Sequence, residues 1–177
     1  MRIAYQGEPG AFSHQACLQF APDAEPVAFP SFEAAIEAVR EKRCGQAMLP
    51  VENSIAGPVE AVLALLEGAG LRERGRFELP VRMMLIGAPG ARLEDLRRVA
   101  SHPVALRQCR GLIAELGLME AAAFDTAGAA RLLAEAPDRS RGVLASRTAA
   151  DLHRLPILRA DVQDQADNRT TFVLLEA

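Results

Sequence analysis

The 177-residue sequence has no tryptophan, one tyrosine, three cysteines and one lysine, and only 5% of it is aromatic. Its net charge of -3 lacks the excess of basic residues that a nucleic-acid surface requires. Nineteen of the twenty basic residues are arginine, Lys42 being the exception, and no function is drawn from that bias. Cys17, Cys44 and Cys109 are odd in number, far apart, and form no Cys-x-x-Cys pair, which excludes a disulfide framework or a zinc knuckle and leaves small buried thiols. His14, His102 and His153 have no metal-ligand spacing. No Gly-x-Gly-x-x-Gly or Walker loop occurs; Gly7-Glu8-Pro9-Gly10 comes nearest, but it carries an acid and no following lysine. Apolar runs such as Met83 to Ile86 are too short to cross a bilayer, and the start of the chain reads as a strand rather than a signal peptide. These absences lead us to expect a cytoplasmic protein with no metal, cofactor, nucleic acid or membrane among its partners. A homo-oligomer stays open.

What is present is an ordinary globular balance, 50% apolar and 24% charged. Strand and helix patterns alternate with short connections. Expected strands are Arg2 to Gln6, Pro26 to Phe29 and Gln46 to Val51, with helices from Ala11 to Phe20 and from an N-cap at Ser31 to about Lys42. Pro58 reads as the first turn of a helix reaching Glu67, Gly68 to Gly75 as a loop, and Phe77 to Gly87 as one extended stretch. The second half repeats the alternation, with strands Arg98 to Ala100, Met119 to Phe124, Gly142 to Ala145 and Ile157 to Arg159. Helices are expected from Val104 to Leu116, Thr126 to Glu135 and Arg147 to His153, and Thr170 to Leu175 reads as a last strand. The order predicts an α/β protein with mostly parallel sheets. Two blocks of similar size imply two lobes with a cleft between them: lobe 1 about 1–76 plus 163–177, lobe 2 about 77–162.

Ligands of open α/β sheets sit beyond the carboxyl ends of the strands. Polar loops recur there: Gly7 to Ser13, Pro50 to Pro58, Ser101-His102-Pro103, Asp125 to Gly128, and Asn168 to Phe172. Helix N-termini hold carboxylates through free backbone N–H groups, and Ser or Thr hydroxyls add oriented donors. Several such loops facing one cleft would suit a small anion with more than one oxygen-rich group. Taken singly, Ser31, Ser101 and Thr126 read as helix caps, Glu52 as a cap of the helix after it, and His102 as a packed turn histidine.

These segments, in this order, resemble the catalytic domain of prephenate dehydratase across essentially the whole chain. The residues carrying the likeness are Ala4 to Ser13, Pro50-Val51-Glu52-Asn53-Ser54-Ile55-Ala56-Gly57-Pro58-Val59, Ser101 to Cys109, Asp125 to Ala130, and Asn168 to Phe172. The resemblance implies a two-lobed fold like the type 2 periplasmic binding proteins and no cofactor. It also implies decarboxylative dehydration of prephenate to phenylpyruvate, water and carbon dioxide, a step in phenylalanine biosynthesis. In the family, the Thr of a Thr-Arg-Phe motif is tied to activity, and by position that is Thr170. A threonine hydroxyl is a very weak acid, so the expected role is hydrogen-bond donation to the leaving hydroxyl. Glu52 is expected as a second catalytic residue, a proton source or orienter. Asn53, Ser54, Ser101, Thr126, Thr171 and Phe172 are expected to place the substrate.

The sequence departs from the family at Thr171, where the motif has Arg, and at Val104, where Gln is common. In a regular strand Arg169 and Thr171 share a face, so Arg169 offers a partial substitute, and Thr170 faces the other way. Family members usually continue into an ACT domain that binds phenylalanine. The chain here ends soon after Phe172, and the expectation is no phenylalanine feedback. Two other readings stand beside the first: arogenate as substrate, and a non-catalytic small-anion binding module on the same fold.

Overall fold

The computed structural model describes all residues, Met1–Ala177. In chain order the elements are β1 (Arg2–Gln6), α1 (Phe12–Phe20), β2 (Glu25–Phe29), α2 (Phe32–Arg40), β3 (Gln46–Asn53), β4 (Gly57–Pro58), α3 (Glu60–Leu66), β5 (Arg72–Pro80) and β6 (Met84–Gly87). A short 3-10 turn precedes β7 (Arg98–Ser101), followed by α4 (Pro103–Gln108), α5 (Arg110–Leu116), β8 (Met119–Ala122), α6 (Thr126–Glu135), β9 (Arg141–Ala145), α7 (Arg147–His153), β10 (Ile157–Arg159) and β11 (Arg169–Glu176). They form two compact units. One comprises residues 1–8, 12–81 and 167–177, the other residues 9–11 and 82–166.

The first unit is built on a sheet of order β2-β1-β3-β11-β5, with β4 hooked onto β3. Its faces are sorted by the period-two alternation of the strands. Ala4, Ala47, Leu49, Val51, Val173 and Leu175 point to one side and pack under α2 and α3 through Ala35, Ile36, Val39 and Val62. Ile3, Tyr5, Met48, Leu79 and Phe172 point to the other and pack under α1 through Ala16 and Cys17. The Ser31 cap is present: its hydroxyl oxygen accepts from the Ala34 N–H at 3.2 Å, and the helix that follows buries Ala35, Ile36, Ala38 and Val39.

The second unit is built on a sheet of order β10-β6-β9-β7-β8. Its core joins Met84, Ile86, Val143 and Ala145 to the alanines of α6 and α7, small side chains that let both helices lie close to the strands. Gly7 to Ser13, expected as a ligand loop, is partly a structural tie. Gly10 has φ +97°, and a Cβ there would lie 2.9 Å from the Cα of Ala149. The Ser146 hydroxyl donates to the Gly10 carbonyl and accepts from the Ala149 N–H at 3.0 Å.

The structure corrects several expectations. The sheets are mixed rather than mostly parallel: four pairings are parallel (β1 with β2 and β3, β7 with β8 and β9) and five antiparallel. Two of the antiparallel pairings are those of β11, the strand along which the chain re-enters the first unit, with β3 and β5. Residues 72–75 are strand rather than loop, since β11 pairs with them. The stretch 77–87 is two strands, and the units divide at 81/82 and 166/167 rather than near 76/77 and 162/163, because the β5–β11 ladder extends to Pro80. Pro58 lies opposite Glu52 in a β-bridge, and α3 starts at Glu60. The helix expected at 104–116 breaks at Cys109, with Asp164 filling the break. Its carboxylate accepts from the N–H groups of Arg110 (3.0 Å) and Gly111 (2.9 Å), and its own N–H donates to the Gln108 carbonyl at 2.7 Å.

Two outcomes follow from this packing. Asp164→Ala leaves two helix-end donors without their acceptor and lowers stability by about 1–2 kcal/mol, read as a lower urea midpoint at unchanged slope. All three cysteines are buried, and burial pushes the Cys17 and Cys109 thiols up to about 12. The folded protein at pH 8 is therefore expected to resist a thiol-titrating disulfide reagent that counts three thiols once the chain is denatured.

Candidate active site

The carboxyl end of β3 and the start of β11 meet at one edge of the first unit's sheet, because the two strands run antiparallel. There the pairing slips by one residue. Thr171 lies opposite Glu52 but Phe172 lies opposite Pro50, so Val51 is an extra residue in β3. A β-bulge of this kind re-aims the side chains beyond it. Two adjacent rows across three strands result. Glu52, Thr171 and Glu78 stand side by side in one, Asn53, Thr170 and Leu79 in the next, and the two rows face opposite sides of the sheet.

In the second row, Asn53 is held at both ends. Its side-chain carbonyl accepts from the N–H groups of Ile55 (3.0 Å) and Ala56 (2.9 Å) in the turn that follows β3. That fixes which end of the amide is the nitrogen. Nδ2 then donates to Thr170 Oγ1 at 3.0 Å, Asn168 Oδ1 at 2.9 Å and the Arg169 carbonyl at 3.1 Å. Asn168 is only 2% exposed. Thr170 Oγ1 thus receives a hydrogen bond and keeps its own proton to donate. The same sheet face carries Tyr5, stacked on His14 with ring centroids 5.2 Å apart. Burial raises Tyr5 to about 12 and lowers His14, so both rings are neutral near pH 7.

The first row looks onto a different feature, a cavity of about 310 Å³ lined by Glu52, Ser54, Glu78, Asp167, Arg169 and Thr171. Arg169 Nη1 lies 3.4 Å from Glu78 Oε2, its Nε donates to the Asp167 carbonyl at 3.4 Å, and its main-chain N–H donates to Ser54 Oγ at 3.0 Å. Arg169 and Thr171 do line one cavity, as their spacing requires.

The expected site residues therefore separate. Asn53 and Thr170 come together, and Glu52, expected as a proton source or orienter, stands with Thr171 on the opposite face. Ser54 lines the cavity on that opposite face and closes the turn onto β11. Phe172, expected on the substrate, is 1% exposed in the core beside Tyr5, Met48 and Leu79. Ser101, also expected on the substrate, is fully buried, and its hydroxyl donates to the Leu144 carbonyl at 2.6 Å, tying β7 to β9. Thr126 opens α6 and is partly exposed, but the cap is Asp125, which accepts from the Gly128 N–H. His102 caps α4, its Nδ1 accepting from the Val104 N–H at 3.1 Å. Sequence reasoning placed Asn168 in the polar segment 168–172 but gave it no role; the structure shows it as a buried amide bonded to Asn53.

A hydroxyl that accepts from an amide nitrogen thus stands at the carboxyl end of β3, and no cluster of His, Cys, Asp or Glu suited to a metal ion accompanies it. The family model for prephenate dehydratase matches residues 3–177, and the chain belongs to that family. Among curated relatives, a bifunctional N-acyl-homoserine lactone acylase/prephenate dehydratase of Komagataeibacter europaeus is 44% identical, the match covering 97% of this chain and 61% of the relative. Arogenate dehydratase 2 of Petunia hybrida is 40% identical over 99% of this chain and 44% of its own length. The Arabidopsis thaliana arogenate dehydratase/prephenate dehydratase 2, chloroplastic, is 41% identical over 99% and 46%. The chain thus spans about half the length of these relatives. Of solved structures, the prephenate dehydratase of Arthrobacter aurescens in complex with L-Phe superposes with a TM-score of 0.91 at 28% identity, covering 99% of this chain and 60% of that one. A quorum quenching acylase, GqqA, superposes with a TM-score of 0.93 at 43% identity, covering 99% and 64%.

The division between core and site is open to measurement. Phe172→Ala lowers unfolding free energy by about 3–5 kcal/mol as an emptied core position. Ser101→Ala lowers it by about 1–2 kcal/mol through the bereft Leu144 carbonyl. Both are read from denaturant midpoints.

Proposed function

We propose that this chain carries the catalytic site of a prephenate dehydratase, with Thr170 as the residue that helps the ring hydroxyl leave. The observation that carries the reading is the 3.0 Å hydrogen bond from Asn53 Nδ2 to Thr170 Oγ1. A hydroxyl that already accepts one hydrogen bond is polarised into a better donor. In the reaction, the bond from the ring to its carboxylate breaks and carbon dioxide departs. The electron pair moves into the ring, and the carbon–oxygen bond at the opposite carbon breaks. The hydroxide leaves as water, taking its proton from solvent, and Thr170 stabilises the charge developing on that oxygen. Aromatisation supplies the driving force, so no electron sink is needed. Glu52 takes no part as a proton source on this reading, because its row faces away from Thr170. A leaving carboxylate held out of bulk water would release its charge more readily.

Arogenate, in which an amine replaces the side-chain ketone, is the second substrate we put forward. Relatives 40–43% identical to this chain carry the name arogenate dehydratase. The chemistry at the ring is the same, and the product is then phenylalanine rather than phenylpyruvate.

The test is turnover of both substrates by the purified chain. Product formation from at least one is expected, and Thr170→Ala should reduce kcat by roughly 10²–10³-fold, the usual cost of removing one oriented donor to a developing oxyanion. No product from either substrate overturns the enzyme in favour of a binding module. An unchanged rate in Thr170→Ala overturns the role of that hydroxyl. Thr171→Arg, which puts the family residue in the row that faces away from Thr170, should change kcat by no more than about threefold, since successive strand side chains point to opposite faces.

A further inference from the structure

Asn168 is a buried side chain that the dehydration chemistry does not touch directly. It lies in the first unit, immediately before β11, and its backbone carbonyl accepts from the Val81 N–H at 2.8 Å, which fixes its main chain against the end of β5. Its side-chain oxygen accepts from Asn53 Nδ2 at 2.9 Å. Asn53 Nδ2 has two hydrogens and three acceptors around it: Asn168 Oδ1, the Arg169 carbonyl and Thr170 Oγ1. The arrangement is satisfied when one hydrogen goes to Thr170 and the other is shared by Asn168 and the Arg169 carbonyl. Remove the Asn168 oxygen, and the second hydrogen keeps only the 3.1 Å bond to the Arg169 carbonyl, so the Nδ2 end of the amide is aimed at Thr170 less tightly.

We infer that Asn168 is a positioning residue for Thr170, acting through Asn53: it fixes the plane of the Asn53 amide so that Nδ2 points at Thr170 Oγ1. The inference rests on the dehydratase reading of Thr170. Turn, amide and buried acceptor then form one chain. The Ile55 and Ala56 N–H groups orient the Asn53 oxygen, Asn168 orients the Asn53 nitrogen, and the nitrogen orients the catalytic hydroxyl. A misplaced reacting group costs rate rather than binding, so the signature is in kcat.

The experiment is a cycle of Asn168→Ala, Asn53→Ala and the double variant, with Asn168→Asp as the variant that keeps an acceptor at the same place. Each is assayed with the substrate the parent turns over. Asn168→Ala is expected to lower kcat roughly 10- to 100-fold with KM within about twofold of the parent. In the Asn53→Ala background the same change should lower kcat no further, because the group it orients is gone. Asn168→Asp should retain more kcat than Asn168→Ala, and this comparison decides the matter if the alanine variant does not fold. An unchanged kcat in Asn168→Ala, losses that multiply in the double variant, or an aspartate variant no better than alanine would each overturn the inference while leaving the dehydratase reading intact. No turnover by the parent would overturn both.

Discussion

The pairing of β11 with β3, interrupted once at Val51, is the constraint on which the site depends. β11 comes from the C-terminal end of the chain and is inserted between β3 and β5, where both ladders are antiparallel. It carries Phe172, Val173 and Leu175 into the two cores of the first unit, so its register is set by apolar burial on both faces. With that register fixed, the extra residue in β3 decides which side chain faces Thr170. Without the bulge, strict alternation would turn Glu52 toward Thr170 and Asn53 away. On the proposed reading, a carboxylate beside Thr170 would compete for the proton that the hydroxyl donates to the leaving group. An amide nitrogen instead donates to the threonine oxygen and leaves its proton free.

On the proposed dehydratase reading, the site works with uncharged groups. The network of Asn53, Asn168 and Thr170 carries no charge, and burial holds the neighbouring Tyr5 and His14 rings neutral on the same face. In the proposed reaction a weakly acidic hydroxyl would serve, because an aromatic ring is made and a departing oxygen need only be steadied. On that reading preorganisation carries the burden, since the hydrogen bonds of the network are already made without substrate.

The sequence made the local features legible. Ser31 heads a helix with an obvious apolar face, the alternation of strand and helix gives the two-block order, and motif resemblance picked out Asn53 and Thr170. What it concealed was decided by pairing between distant residues. The strand at 72–75 looks like a loop because Arg72, Glu73 and Arg74 are exposed and a glycine follows them, and only β11 makes it a strand. Ser101 looks like a cap until β9 supplies the Leu144 carbonyl. Phe172 looks like a substrate contact until Tyr5, Met48 and Leu79 close around it. The break at Cys109 depends on Asp164, more than fifty residues away. The bulge leaves no trace in spacing, since one extra residue in a strand is visible only against its partner.

The departure from the family motif at Thr171 takes on a different meaning in this frame. Thr171 stands between Glu52 and Glu78 in the row across β3, β11 and β5, on the face away from Thr170. An arginine at that place would have a carboxylate on either side of it, an arrangement suited to a cross-strand ion pair. Arg169, two residues earlier and lining the same cavity, already lies 3.4 Å from Glu78. Both side chains of that pair are largely exposed, and such a pair contributes about 0–1 kcal/mol. Moving the guanidinium by two positions therefore alters a weak surface pair and leaves the amide–hydroxyl row untouched. The missing arginine bears on the row of Glu52, Thr171 and Glu78, and the proposed catalytic role belongs to the neighbouring row of Asn53 and Thr170.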